Sequence, residues 1–85
     1  NPSTTIKFTL PSAGDGGITL PTTLRIYNVL GEVVRTLVDE LMAPGVHHEV
    51  WDGRDDHGNR VASGIYFYRL RAGDLVQTKK MVLMK

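Results

Sequence analysis

The chain contains no cysteine. That absence removes a disulfide framework, a thiolate zinc site and a thiol nucleophile together. It also lacks any run of about 18 apolar residues, so no transmembrane segment is expected. The opening Asn1-Pro2-Ser3-Thr4 has no basic-then-apolar pattern. An export signal, if the protein is exported, is therefore expected upstream in a longer parent. Excess charge of one sign is missing too, with 10 basic and 9 acidic residues leaving a net +1. The nearest approach to a basic cluster is Lys79, Lys80 and Lys85, too little for the concentrated basic face of a nucleic-acid binder. Serine is scarce: only Ser3, Ser12 and Ser63 are present, and none lies in Gly-x-Ser-x-Gly. The glycines of Gly14–Gly17 precede neither a lysine nor a helical pattern, so no phosphate loop is indicated. Aromatic residues make up 7%, with Trp51 the single tryptophan.

What remains is an ordinary globular composition, 41% hydrophobic and 22% charged. A chain of 85 residues allows one domain, assigned here to 1–85. A domain of this size buries only roughly 60–65% of its unfolded surface, so contacts from a neighbouring domain would add to its stability.

The apolar residues alternate with polar ones in short runs, the period of half-buried strands. Thr5–Leu10 places Ile6, Phe8 and Leu10 on one face, and Pro11 ends it. Ser12–Gly17 is a turn cluster. Ile18–Leu20 reads as a short strand cut by Pro21. Leu24–Val29 alternates again with Leu24 and Ile26 inward, and Gly31 marks a tight turn. Val33–Val38 has apolar spacing that also fits a helix, but its β-branched residues favour the returning strand. Asp39–Gly45 reads as a connection, Val46–Trp51 as a strand and Asp52–Asn59 as a polar loop. Ile65–Leu70 is the strongest strand; Ala72-Gly73-Asp74 turns it into a last strand, Leu75–Met84. Six or seven short antiparallel strands with turn chemistry between them imply an all-β fold, a small immunoglobulin-like β-sandwich. The expected core includes Ile6, Phe8, Leu24, Ile26, Trp51 and Tyr66.

Three clusters raise chemical questions. Trp51 is either a plug between two sheets or, with Tyr66 or Tyr68, a sugar-stacking platform; small sandwiches need one large residue to fill the inter-sheet gap, which favours the plug. Asp52–Asn59 (DGRDDHGN) suggests calcium, but Arg54 stands at a ligand position and His57 where the helix-loop-helix pattern has glycine. An irregular site from Asp52, Asp55, Asp56 and Asn59 is the weaker reading; turns built by Asp and Asn are the stronger one. His47 and His48 are adjacent on a strand and so point to opposite faces, which disfavours a shared metal. No cofactor and no catalytic residue is expected. The tail Lys79-Lys80-Met81-Val82-Leu83-Met84-Lys85 is apolar on both faces, so one face calls for a cover. Its lysines suit either an edge that resists aggregation or a segment read by a receptor.

Several blocks, taken in order, carry a resemblance. Asn1-Pro2 with Thr5–Pro11, the block Leu24–Val34, and the closing Lys79–Leu83 resemble the C-terminal sorting domains of the type IX (Por) secretion system. Trp51-Asp52-Gly53 through Gly58, followed by Ser63–Leu70, is similar to these and equally to the immunoglobulin-like domain of flagellar hook-capping proteins. Gly14–Thr23 is longer than the usual first connection, and Glu49 falls where the family pattern is apolar, a mismatch that a β-bulge would reconcile. The resemblance implies a non-catalytic sorting domain at the C-terminus of a larger bacterial protein. That protein would pass through the periplasm to be secreted or displayed on the cell surface. The implied partners are the outer-membrane secretion machinery and the N-terminal parent domain or domains. Lys79, Lys80, Met81, Val82, Leu83 and Lys85 would form the recognised strand. The alternatives are a structural module packed against or spacing a catalytic domain and, more weakly, a carbohydrate-binding module.

Overall fold

A computed structural model describes residues 3–11 and 19–84. The expected turn cluster, Ile18 and Lys85 lie outside the described residues. Six strands are present among them: β1 (Thr4–Leu10), β2 (Leu20–Tyr27), β3 (Val33–Met42), β4 (Gly45–Trp51), β5 (Gly64–Ala72) and β6 (Leu75–Leu83). They form two sheets, β1-β4 and β3-β2-β5-β6, with every pairing antiparallel. The fold is the small immunoglobulin-like sandwich that the alternation implied.

The core lies between the sheets. The two-stranded sheet contributes Ile6, Phe8, Leu10 and Trp51; the four-stranded sheet contributes Leu24, Ile26, Val38, Tyr66, Leu70, Ala72 and Leu83. Thr22 is the one buried polar residue among those described, and its hydroxyl donates to the Leu20 carbonyl at 2.9 Å. Its polar group is thus satisfied, as burial requires.

Turn chemistry fixes the hairpins. The Asn28 side chain accepts from the backbone N–H groups of Leu30 and Glu32 at 2.9 and 3.0 Å, so β2 stops at Tyr27 rather than running on to Val29. Gly31 takes φ 81° there, a conformation that glycine adopts without strain. Gly73 opens the β5–β6 turn at φ 58°, as the first central residue of a type II′ hairpin requires.

Several expectations are corrected. Pro21 does not cut a strand, because β2 runs through it. The ladder with β5 begins only at Thr22, so the missing N–H of Pro21 costs no ladder bond on that side, while its carbonyl accepts from the Gly73 N–H at 3.3 Å. Asp39, Glu40 and Leu41 are not a connection but the end of β3, paired with Thr23, Thr22 and Pro21. β3 is a sheet edge, where charged residues are tolerated and discourage further pairing. Only Ala43 and Pro44 separate β3 from β4, which crosses to the other sheet.

No bulge accommodates Glu49. The β1–β4 register is unbroken from Thr4↔Trp51 to Leu10↔Gly45, and Glu49 sits half-buried opposite Ile6. A two-stranded sheet leaves its inward positions near the rim, where a carboxylate still reaches water. The bulges lie in β3 instead, where the register steps past Leu37 and Val34. Both side chains pack against the core. The helix-like spacing of Val34, Leu37 and Val38 is therefore a twice-bulged strand.

Candidate functional site

Trp51 is fully buried. Its indole N–H donates to the Arg54 carbonyl at 2.9 Å, and its ring meets Tyr66 edge-on, with centroids 5.2 Å apart and planes at 70°. Neither face is free to stack on a sugar, which removes the carbohydrate platform built on this residue. Tyr66 is buried as well and Tyr68 is half-buried on the same inward face. The Tyr66 hydroxyl donates to the Ala62 carbonyl at 2.6 Å, and burial pushes its pKa above the usual 10.0.

The acidic loop is organised by hydrogen bonds within the chain. Asp55 Oδ1 accepts from the N–H groups of His57 and Asn59, both at 2.9 Å. Asp52 Oδ1 accepts from the Arg54 N–H at 3.1 Å and from Arg35 Nη1 at 3.3 Å. Asp56 Oδ1 accepts from the Thr36 N–H at 3.0 Å and lies 3.9 Å from Arg35 Nε. The Asp56 N–H donates to the Val34 carbonyl at 3.0 Å. These carboxylates therefore cap turns and pin the loop to β3. Among the described residues no three acidic or histidine side chains converge to hold a cation. Arg35, unremarked in the sequence, is the residue around which the loop closes; its only signal was a lone cation inside an apolar run.

The two adjacent histidines diverge as alternation requires. His47 stacks on Phe8 with centroids 5.5 Å apart, and its Nε2 contacts the Ala43 carbonyl at 2.7 Å. His48 points outward.

The last strand divides into two parts. Leu83 is buried and Met81 packs against the core from a half-buried position, so these two hold β6 down. Lys79 and Lys80 are exposed, as are Val82 and Met84. β6 pairs with β5 along its whole length and has no neighbour on its other side among the described residues. Its backbone N–H and C=O groups on that edge are thus available to an added strand.

The outer face of the four-stranded sheet gathers a second group that the sequence did not disclose. Cross-strand register sets Arg25 opposite Arg69, Tyr27 opposite Phe67 and Phe67 opposite Lys80. The Arg69 guanidinium lies 5.4 Å from the centre of the Tyr27 ring, and its Nε donates to Thr78 Oγ1 at 3.4 Å.

A sandwich whose candidate surfaces are a strand edge and a sheet face, with its acids spent on turns and its tryptophan in the core, defines an immunoglobulin-like β-sandwich module. The comparison with protein families agrees: the FlgD Ig-like domain family matches residues 2–75, and the chain belongs to it. That family is one of non-catalytic structural domains. The match spans β1 to β5 and ends as β6 begins. No curated protein and no solved structure matches the chain.

Proposed function

We propose that the chain is a non-catalytic module appended to a larger exported protein, and that β6 is the signal by which type IX-like outer-membrane machinery recognises it. The observation that carries this reading is the split character of β6. Leu83 and Met81 anchor the strand while Lys79, Lys80 and Val82 stay exposed on an open sheet edge. A receptor can add a strand to such an edge through backbone hydrogen bonds, with exposed side chains setting register and orientation. The cargo would be the parent domain or domains, the route would pass through the periplasm to the surface or medium, and no cofactor or catalytic group is required.

The test is a fusion of residues 1–85 to a periplasm-targeted fluorescent reporter in a host with a type IX apparatus. Removing Lys79–Lys85 would also remove Leu83 from the core, so the informative variant keeps the core and changes only exposed side chains of β6: Lys79→Glu, Lys80→Glu and Val82→Ser together. Export of the parent fusion, lost in this variant while its circular dichroism is unchanged, is the expected result. Equal export of both fusions would refute the sorting role.

A second reading is favoured by the family match, which ends at residue 75 and so does not call on β6. In it the chain is a structural immunoglobulin-like module that spaces or packs against a catalytic neighbour. This reading expects both fusions to remain in the periplasm and expects removal of the module to lower the neighbour's stability.

A further inference from the structure

The outer face of the four-stranded sheet is basic to a degree that the net charge of +1 conceals. Core residues Leu24, Ile26, Leu70 and Tyr66 face inward, so Arg25, Arg69, Arg71 and Lys80 project from the opposite side. Arg25 and Arg69 are direct cross-strand partners, a like-charge arrangement that weakens a sheet. None of the four forms an ion pair with a carboxylate among the described residues. Asp39, opposite Thr23, is the acid that β3 brings toward the Arg71 end of this face. Yet Asp52 and Asp56, the carboxylates that do pair with arginine, are committed to Arg35 in a loop elsewhere.

The face is also shaped. A shallow groove runs between Tyr27, Val29, Gly31, Phe67, Arg69 and Thr78. Tyr27, beneath the Arg69 guanidinium, and Thr78, bonded to its Nε, hold this side chain at the groove. Beyond Phe67 the directly opposed Ile65 and Val82, both exposed, add an apolar margin. Aromatic residues and arginine concentrated on one face form the composition of a protein-recognition surface. Arginine, unlike lysine, binds a carboxylate through two parallel hydrogen bonds.

We propose that this face docks a carboxylate-rich protein segment, with Arg25 and Arg69 forking its acidic side chains and Tyr27 and Phe67 packing against its apolar atoms. The occupant is fixed by charge complementarity: it supplies the counter-charge that the Arg25–Arg69 pair lacks among the described residues. Lys80 and Val82 border both this surface and the β6 edge, but Arg25, Tyr27, Phe67 and Arg69, which carry the inference, lie on β2 and β5 and are untouched by the sorting test, so the two proposals fail separately.

The test uses the isotopically labelled 85-residue chain and a short poly-glutamate peptide as the probe. Amide shifts are followed by NMR at low and high salt. The expected shifts cluster at Arg25, Tyr27, Phe67, Arg69 and their strand neighbours, and weaken with salt. The double variant Arg25→Gln/Arg69→Gln should bind roughly tenfold more weakly or worse, as loss of charge-assisted bonds implies. Arg25→Lys/Arg69→Lys, which keeps the charge, should also bind more weakly because the fork is gone. Thermal melting should show the glutamine variant at least as stable as the parent, since the like-charge pair is relieved; that readout separates a recognition role from a structural one. The inference is overturned if poly-glutamate causes no shifts, if shifts centre on Lys7 or on the Asp52–Asn59 loop, or if the glutamine variant binds unchanged. Binding to heparin or phosphatidylglycerol vesicles without binding to poly-glutamate overturns it in favour of a polyanion other than protein.

Discussion

β5 and β6 have the same length, nine residues each, and pair with each other at all nine positions, yet they contribute very differently to the core. β5 buries Tyr66, Leu70 and Ala72, whereas β6 buries Leu83 alone. Composition does not explain this, since β6 (LVQTKKMVL) is as rich in aliphatic residues as β5 (GIYFYRLRA). Position does. β5 lies between β2 and β6, while β6 is an edge. An inward-facing position near the edge of the larger sheet is occluded only where the smaller sheet reaches across, and Leu83, opposite Gly64, marks where β6 gains that cover. Within this sheet the interior strands β2 and β5 bury three residues each and the edge strands β3 and β6 one each, Val38 and Leu83.

The largest effect should come from the residue that fills the space between the sheets. Trp51→Ala is expected to cost about 3–5 kcal/mol, the range for deleting a large buried aromatic. Set against a total of roughly 4–13 kcal/mol at the usual per-residue stability, that is enough to leave the variant largely unfolded at moderate urea. Urea denaturation followed by circular dichroism measures it; a loss under 1 kcal/mol would mean that the core does not depend on this plug. Next come Leu70→Ala in β5 and Leu83→Ala in β6, each at about 2–5 kcal/mol. Near-equality of these two would sharpen the contrast, because it would show that β6 is weakly embedded through its count of buried residues and not through the quality of any one contact.

Tyr66 separates packing from hydrogen bonding within β5. Tyr66→Phe keeps the ring against Trp51 and removes the donor to the Ala62 carbonyl, an expected loss of about 0.5–1.5 kcal/mol. The pH dependence has a definite sign. Burial raises the folded-state pKa above the 10.0 of an exposed tyrosine, so the contribution is fully present below pH 10 and is lost as pH rises through the folded-state value. Lysines titrate in the same range, so the measurement is the difference between wild type and Tyr66→Phe across pH 9 to 11. The variant should show the shallower alkaline decline; identical slopes would remove Tyr66 as the cause.

These expectations bear on how far the sequence alone could reach. Ile6, Phe8, Leu24, Ile26 and the β5 run were legible because one face of each strand is buried and the alternation is clean. Pro21 and Asp39–Leu41 misled because the rules against proline and acids hold for ladder-bonded interior positions, and these residues lie at a strand start and on an edge. The two β3 bulges broke the period of two and imitated a helix. The basic face stayed hidden for a different reason. Arg25, Arg69 and Lys80 are scattered along the chain and become neighbours only through cross-strand register, which no local pattern encodes. The loop around Arg35 was half legible: its aspartates and glycines announced turns, but the cation that gathers two of them comes from another strand.

The smallest stability effect is the one that matters most for the function of the edge. Lys79→Glu, Lys80→Glu and Val82→Ser alter side chains exposed to solvent, so each is expected to change folding stability by no more than about 0.5 kcal/mol. None removes a backbone group from the β5–β6 ladder, and none touches Leu83. The three together should therefore leave the denaturation midpoint close to that of the parent while reversing the local charge and removing the apolar contact that an incoming strand would meet. A melting transition lowered as much as that of Leu83→Ala would show that β6 is held through these side chains too, and the division of the strand into an anchored part and a readable part would fail. An unchanged transition with export abolished would place the recognition in residues that the fold itself does not need.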